Sequence, residues 1–157
     1  MRYPSFIEAD MDFPDFGHVI MHHPRPRVDD IAGAVSSALG QVIEDARIMQ
    51  GDRVAMGVGS RGIANLALMV RTLVADFHRM GAEPFIVPAM GSHGSATPEG
   101  QKKTLAKLGV TSDVCRTAIA PEMDAVKIGS VFDAVPVYFS KKAMEADHSI
   151  CINRIKP

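Results

Sequence analysis

Two stretches of the sequence share one order of parts. DRVAMGVGSRGIANLALMVRTLVADFHRMG (52–81) and EPFIVPAMGSHGSATPEGQKKTLAKLGV (83–110) each pass from an apolar segment through a glycine-rich loop into a helical pattern. In the first, Val54, Met56 and Val58 alternate with small residues across 52–60, the pattern of a buried strand. Ile63, Leu66, Val70, Leu73, Val74 and Phe77 then recur at helical spacing across 62–81, with Gly81 as a stop. In the second, the apolar run 83–91 ends in Pro and Gly. A helix over 95–110 follows, with Thr97 as cap, Pro98 at its first position, Leu105 and Leu108 inside and Gly109 as stop. Repeated strand–helix order points to an α/β fold, a Rossmann-like three-layer domain with a mostly parallel sheet.

The rest of the chain fits around that frame. At 157 residues it makes one domain, long enough to bury a core. Residues 1–30 read as an irregular lead-in, in which HVIMHH (18–23) has the look of a short strand and PRPRVDD (24–30) is a turn-rich link. Asp29 or Asp30 can cap a helix carrying Ile31, Val35, Leu39, Val42 and Ile43, which should end near Met49–Gly51. Residues 123–131 and 135–140 read as strands paired through a turn at 132–134. Residues 141–147 form a short helix or turn, and 148–155 a β-branched strand. INRIKP stops at Pro157 with no cap or polar tail, so the chain reads as the N-terminal part of a longer protein. A docking surface for the missing part would be exposed, and self-association through it is expected.

Charge and composition remove several functions. The formal net charge is -1, which gives no reason to expect nucleic acid or an anionic membrane as partner. No apolar run approaches the roughly 18 residues of a membrane span, and the acidic, Pro-broken N-terminus is neither a signal nor a transit peptide. Cys115 and Cys151 lie far apart and make no CxxC, so reduced thiols and a cytoplasmic location are expected. There is no G-x-S-x-G elbow and no phosphate-loop lysine motif. No histidine pair has metal-ligand spacing: His22 and His23 are adjacent, His78 falls on the outer side of a helix, and His18 and His148 lack supporting neighbours.

Chemistry concentrates in the two glycine-rich loops, which fall at the carboxyl ends of neighbouring strands and can face one pocket. The first, GVGSRG (57–62), matches G-x-G-x-x-G in its expected strand–helix context, so a nicotinamide dinucleotide and an oxidoreductase are one reading. The acid that should bind the ribose is missing, since beyond the next strand come Pro88, Ala89 and Met90. A second reading is a tight turn with Arg61 as a solvated charge. A third is an anion grip that uses the start of the 62–81 helix and the planar fork of Arg61, in a domain that only binds a carboxylate or phosphate or also acts on it. The second loop sets His93 between Gly91 and Gly94, where an imidazole can approach a ligand and move a proton near neutrality. A loop histidine bonded to its own backbone is the alternative.

Three stretches, VGSRGIANL, PFIVPAMGSHGSATPEGQ and ICINRIKP, resemble the N-terminal domain of the nickel-dependent lactate racemase family over roughly residues 52–157. The resemblance implies a racemase or epimerase of a small 2-hydroxy acid, completed by a second domain. It implies a nickel pincer nucleotide as cofactor of the full-length parent, tethered through a lysine. A hydride passes from the substrate carbon to the pincer while a histidine takes the hydroxyl proton. By motif, Arg61 matches the arginine that holds the substrate carboxylate and His93 one of two acid/base histidines. Gly59, Ser60, Gly91 and Ser92 are placed toward the cofactor. The second histidine, the lysine and the nickel ligand would lie after Pro157, so no metal ligand is assigned and the isolated chain is expected to bind no cofactor. Racemases tend to read D-x-T-R where this chain has Val58-Gly59-Ser60-Arg61, and Arg-Pro where it has Gly94-Ser95. These differences imply a different substrate or subfamily.

Overall fold

The computed structural model describes residues 17–22, 24 and 26–154. Asp30 opens the first helix, α1 (Ile31–Ala46), by accepting the N–H of Gly33, as its position predicts. The helix ends earlier than expected, where Arg47 turns left-handed. Strand β1 (Arg53–Val58) follows, then α2 (Leu66–Arg79), β2 (Glu83–Pro88) and α3 (Pro98–Lys107). A one-turn helix that the periodicity does not announce, α4 (Ser112–Cys115), is capped by Thr111. A hairpin of β3 (Ala125–Val131) and β4 (Val135–Ser140), a short helix α5 (Lys141–Met144) and β5 (His148–Ile152) complete the order.

The fold is mixed α/β. Its main sheet is parallel with order β2-β1-β5, and a separate antiparallel sheet holds β3 and β4. β1 is the central strand, with Ala55 and Met56 paired to Phe85 and Ile86 on one side and to Ser149 and Ile150 on the other. The free side of β2 is partly covered, because Ile86 exchanges backbone hydrogen bonds with Ala118 and Ala120.

Alternation along β1 and β2 divides the core between the two sheet faces. Val54, Met56, Val58 and Ile86 pack with Leu66, Val70, Leu73, Val74 and Phe77 of α2 and with Leu105 of α3. Leu39 of α1 joins this cluster from behind α2, and Ser36 Oγ donates to buried Asp76 at 2.7 Å to pin the two helices. Ala55, Phe85 and Val87 face the other way, toward Ala143 of α5 and Phe139 of β4. Among the described residues, then, the long helices gather on one face, and the hairpin side with α5 covers the other.

Several expectations are corrected. No strand forms at 18–22, where Val19, Ile20 and Met21 stand exposed, and position 23 lies outside the described residues, as do 1–16. Leu108 lies past the end of α3 and is partly exposed rather than inside. α2 begins at Leu66, four residues later than Gly62, because Gly62 and Asn65 both take positive φ and break the helical path. His148 does have a supporting neighbour, as its Nε2 lies 3.0 Å from Asp52 Oδ2. None of the described helices is long and apolar enough to cross a membrane.

Candidate functional site

Three parallel strands send their carboxyl ends to one edge of the sheet. The ladder extends just past them: Gly59 N–H donates to Ile152 at 3.0 Å and Ala89 N–H to Val58 at 2.9 Å. The segments after β1, β2 and β5 therefore leave the sheet side by side. Between them lies a cleft of about 470 Å³ lined by Ser60, Arg61, Gly91, Ser92, His93, Asn153 and Arg154, with Ile63, Ala89 and Met90 as its apolar part. This is the position at which ligands bind in open α/β sheets.

The two predicted loops meet in that cleft through His93. Arg61 donates from Nε to His93 Nε2 at 2.8 Å, and its Nη2 lies 2.5 Å from the same nitrogen. Ser60 Oγ sits 2.7 Å from His93 Nδ1. A guanidinium has only donors, so Nε2 must offer a lone pair. Nδ1 then carries the ring proton and Ser60 Oγ accepts it. Both ring nitrogens are thereby assigned: one holds a proton, and the other is a base occupied by Arg61.

The His93 loop is held from below by α3. Gly91, Gly94, Ser95 and Ala96 all take positive φ, a run that L residues adopt at a cost. The side chain of Gln101, buried on α3, donates to Gly91 O at 2.9 Å. Thr97 Oγ1 accepts the Gly100 N–H and donates to Gly94 O, both at 3.1 Å, so the helix cap also clamps the loop. Gly94 and Gly100 lie backbone to backbone.

Of the residues singled out in the sequence, Arg61, His93, Ser60, Gly91 and Ser92 all line the cleft. Gly59 does not. It is buried beneath Asn153, whose Oδ1 lies 2.5 Å from where a Cβ would stand. The glycine turn is also not a helix N-terminus, since α2 starts after Asn65, which makes no side-chain cap. An anion at this turn would meet Arg61 rather than the first N–H groups of α2. Asn153 and Arg154 carry no local motif that marks them as site residues. They enter because β5 pairs with β1, a long-range relation that local pattern does not carry.

Compared with known protein families, residues 18–157 match the lactate racemase N-terminal domain. No curated protein and no solved structure gives a significant match to the chain.

Proposed function

The chain belongs to the lactate racemase N-terminal domain family, and on that premise we propose that the cleft binds a small 2-hydroxy acid in a nickel-pincer racemase or epimerase. Arg61 takes the substrate carboxylate and His93 moves the hydroxyl proton. The observation that carries this is the chain Ser60–His93–Arg61, which pairs an anion grip with an imidazole whose basic nitrogen meets that grip.

The geometry supplies an order of events. Without substrate, the Arg61 fork covers the His93 lone pair. An incoming carboxylate offers the guanidinium two charged acceptors, a stronger partner than a neutral imidazole nitrogen. Arg61 turns to it and uncovers Nε2 beside the hydroxyl on the adjacent carbon. Ser60 keeps the ring proton on Nδ1, so Nε2 stays the base. His93 takes the hydroxyl proton there and returns it when the carbon centre has been rebuilt with the opposite hand. When bound, the nickel pincer nucleotide supplies the acceptor for the hydride that leaves the substrate carbon.

The cleft offers one imidazole, hydroxyls, a carboxamide and guanidiniums. No three His, Cys, Asp or Glu side chains gather to hold a metal among the described residues. Such a donor set suits anionic organic groups rather than the inner shell of a metal, which supports Ser60, Gly91 and Ser92 as contacts for the organic part of the cofactor. The dinucleotide reading is disfavoured because, among the described residues, no carboxylate lines the cleft to receive a ribose.

Calorimetric titration with lactate tests the binding half. Saturable binding is expected, weakened about tenfold or more in Arg61→Ala, the loss of a charge-assisted pair. In the pincer-loaded holoenzyme, Arg61→Ala and His93→Ala should each abolish interconversion of the stereoisomers. Near-parental rates in both variants would overturn the proposal. Lactate binding without turnover in the loaded parent would favour a purely binding domain.

A further inference from the structure

The cleft carries more positive charge than a monocarboxylate needs. Arg61 accounts for one cation, and Arg154, just past β5, lines the same cleft. Among the described residues no Asp or Glu lines it, although the whole chain has a formal net charge of -1. Arg154 has no hydrogen-bond or ion-pair partner among the described residues. Its exposed side chain reaches over Gly62. Gly62, at φ +58°, leaves the space, and Arg154 Nη1 lies 2.8 Å from where a Cβ on that glycine would stand. The second guanidinium is thus seated against the residue that follows Arg61, over a gap that any larger side chain would fill.

We infer that Arg154 is a specificity-determining residue, and that the preferred ligand is a 2-hydroxy acid with a second carboxylate, a dianion rather than a monoanion. The inference rests on the proposed role of Arg61 as the grip for the first carboxylate. With Arg61 on that group, Arg154 is the remaining cation among the described residues on the wall that follows β5, where the substituent of the 2-carbon can extend. Two cations on a cleft whose described lining holds no counter-charge favour a doubly charged ligand over a singly charged one of similar size.

Titration of the protein with malate, lactate and inorganic phosphate separates the possibilities. Malate should bind about tenfold more tightly than lactate, the value of one charge-assisted contact at a partly open site. In Arg154→Gln that ratio should fall toward one, chiefly through loss of malate affinity. In Arg61→Gln both acids should weaken together. Lys107→Gln, at the end of α3 and outside the cleft, serves as a charge control and should leave the ratio unchanged. Thermal melts of each variant confirm that it is folded. Equal affinities for lactate and malate in the parent, or an unchanged ratio in Arg154→Gln, overturn the inference while leaving the 2-hydroxy-acid proposal intact. Phosphate binding as tightly as malate overturns the dicarboxylate assignment in favour of a plain anion hole. Failure of both acids to bind overturns both proposals.

Discussion

A methyl group on Gly100 would stand 1.7 Å from the carbonyl oxygen of Gly94. The first turn of α3 and the His93 loop touch there through bare backbone, and no rotamer change can relieve the overlap. Gly100→Ala should therefore push the loop away from the helix, at a cost of about 1–3 kcal/mol. The bonds from Thr97 and Gln101 to that loop should weaken with it. Gly40→Ala is the internal contrast. Gly40 sits in α1 with nothing within 4 Å of an added Cβ, and the change should stabilise by about 0.5–1 kcal/mol. Urea unfolding of both variants checks the opposite signs, and lactate titration checks that only Gly100→Ala disturbs the cleft.

The β3–β4 turn offers a gain in stability. Phe132 and Asp133 both have positive φ, at 52° and 54°, and Phe132 is 91% exposed. Two consecutive left-handed residues make the tight hairpin turn that Asn-Gly adopts without strain. Phe132→Asn with Asp133→Gly should raise stability by about 1 kcal/mol, the order of the left-handed penalty removed. A denaturant midpoint that falls would mean the aromatic ring packs against something in solution.

The parts legible in the sequence are those that local chemistry decides. Asp30 and Thr97 cap where a side-chain oxygen precedes a helical pattern, and β1 and β2 were marked by apolar runs between turn residues. The pairing of the two loops followed from adjacent parallel strands. What failed depended on a competing local preference or on distant partners. Ile63 continues the apolar period of α2, yet Gly62 and Asn65 turn left-handed and delay the helix. Val19, Ile20 and Met21 form an apolar run, but that run has no strand neighbour among the described residues. Asn153 and Arg154 reach the site through the pairing of β5 with β1, a long-range contact that no local pattern announces.

Asp52 joins the segment before β1 to the start of β5 and gives a pH signature. Its carboxylate accepts the Met49 N–H at 2.8 Å and faces His148 Nε2 at 3.0 Å. The backbone bond chiefly, and His148 after it, hold its pKa below the usual 3.8. A depressed carboxylate contributes stability that is fully present above the unfolded value and is lost as pH falls through the folded one. The parent should therefore be more stable than Asp52→Asn at about pH 5, and the gap should close toward about pH 2. Unfolding curves across that range check it, and a gap that stays constant would show that the charge of Asp52 is not what the two contacts use.

Ser60 should act on the proton-carrying nitrogen of His93 without touching substrate. Its Oγ, 2.7 Å from Nδ1, is the acceptor that keeps the ring proton away from Nε2. Removing it in Ser60→Ala leaves Arg61 as the one polar contact of the ring among the described residues and frees the imidazole to rotate. With lactate bound, when Arg61 has turned to the carboxylate, the 15N resonances of His93 should show a protonated Nδ1 and a bare Nε2 in the parent, and a mixture of tautomers in the variant. In the pincer-loaded holoenzyme kcat should fall about tenfold to a hundredfold, part of the usual worth of a positioned base. KM should change little, because Arg61 still meets the carboxylate. Ser60→Thr keeps the hydroxyl and should recover most of the rate. A KM effect with unaltered tautomers would instead put Ser60 on the ligand itself.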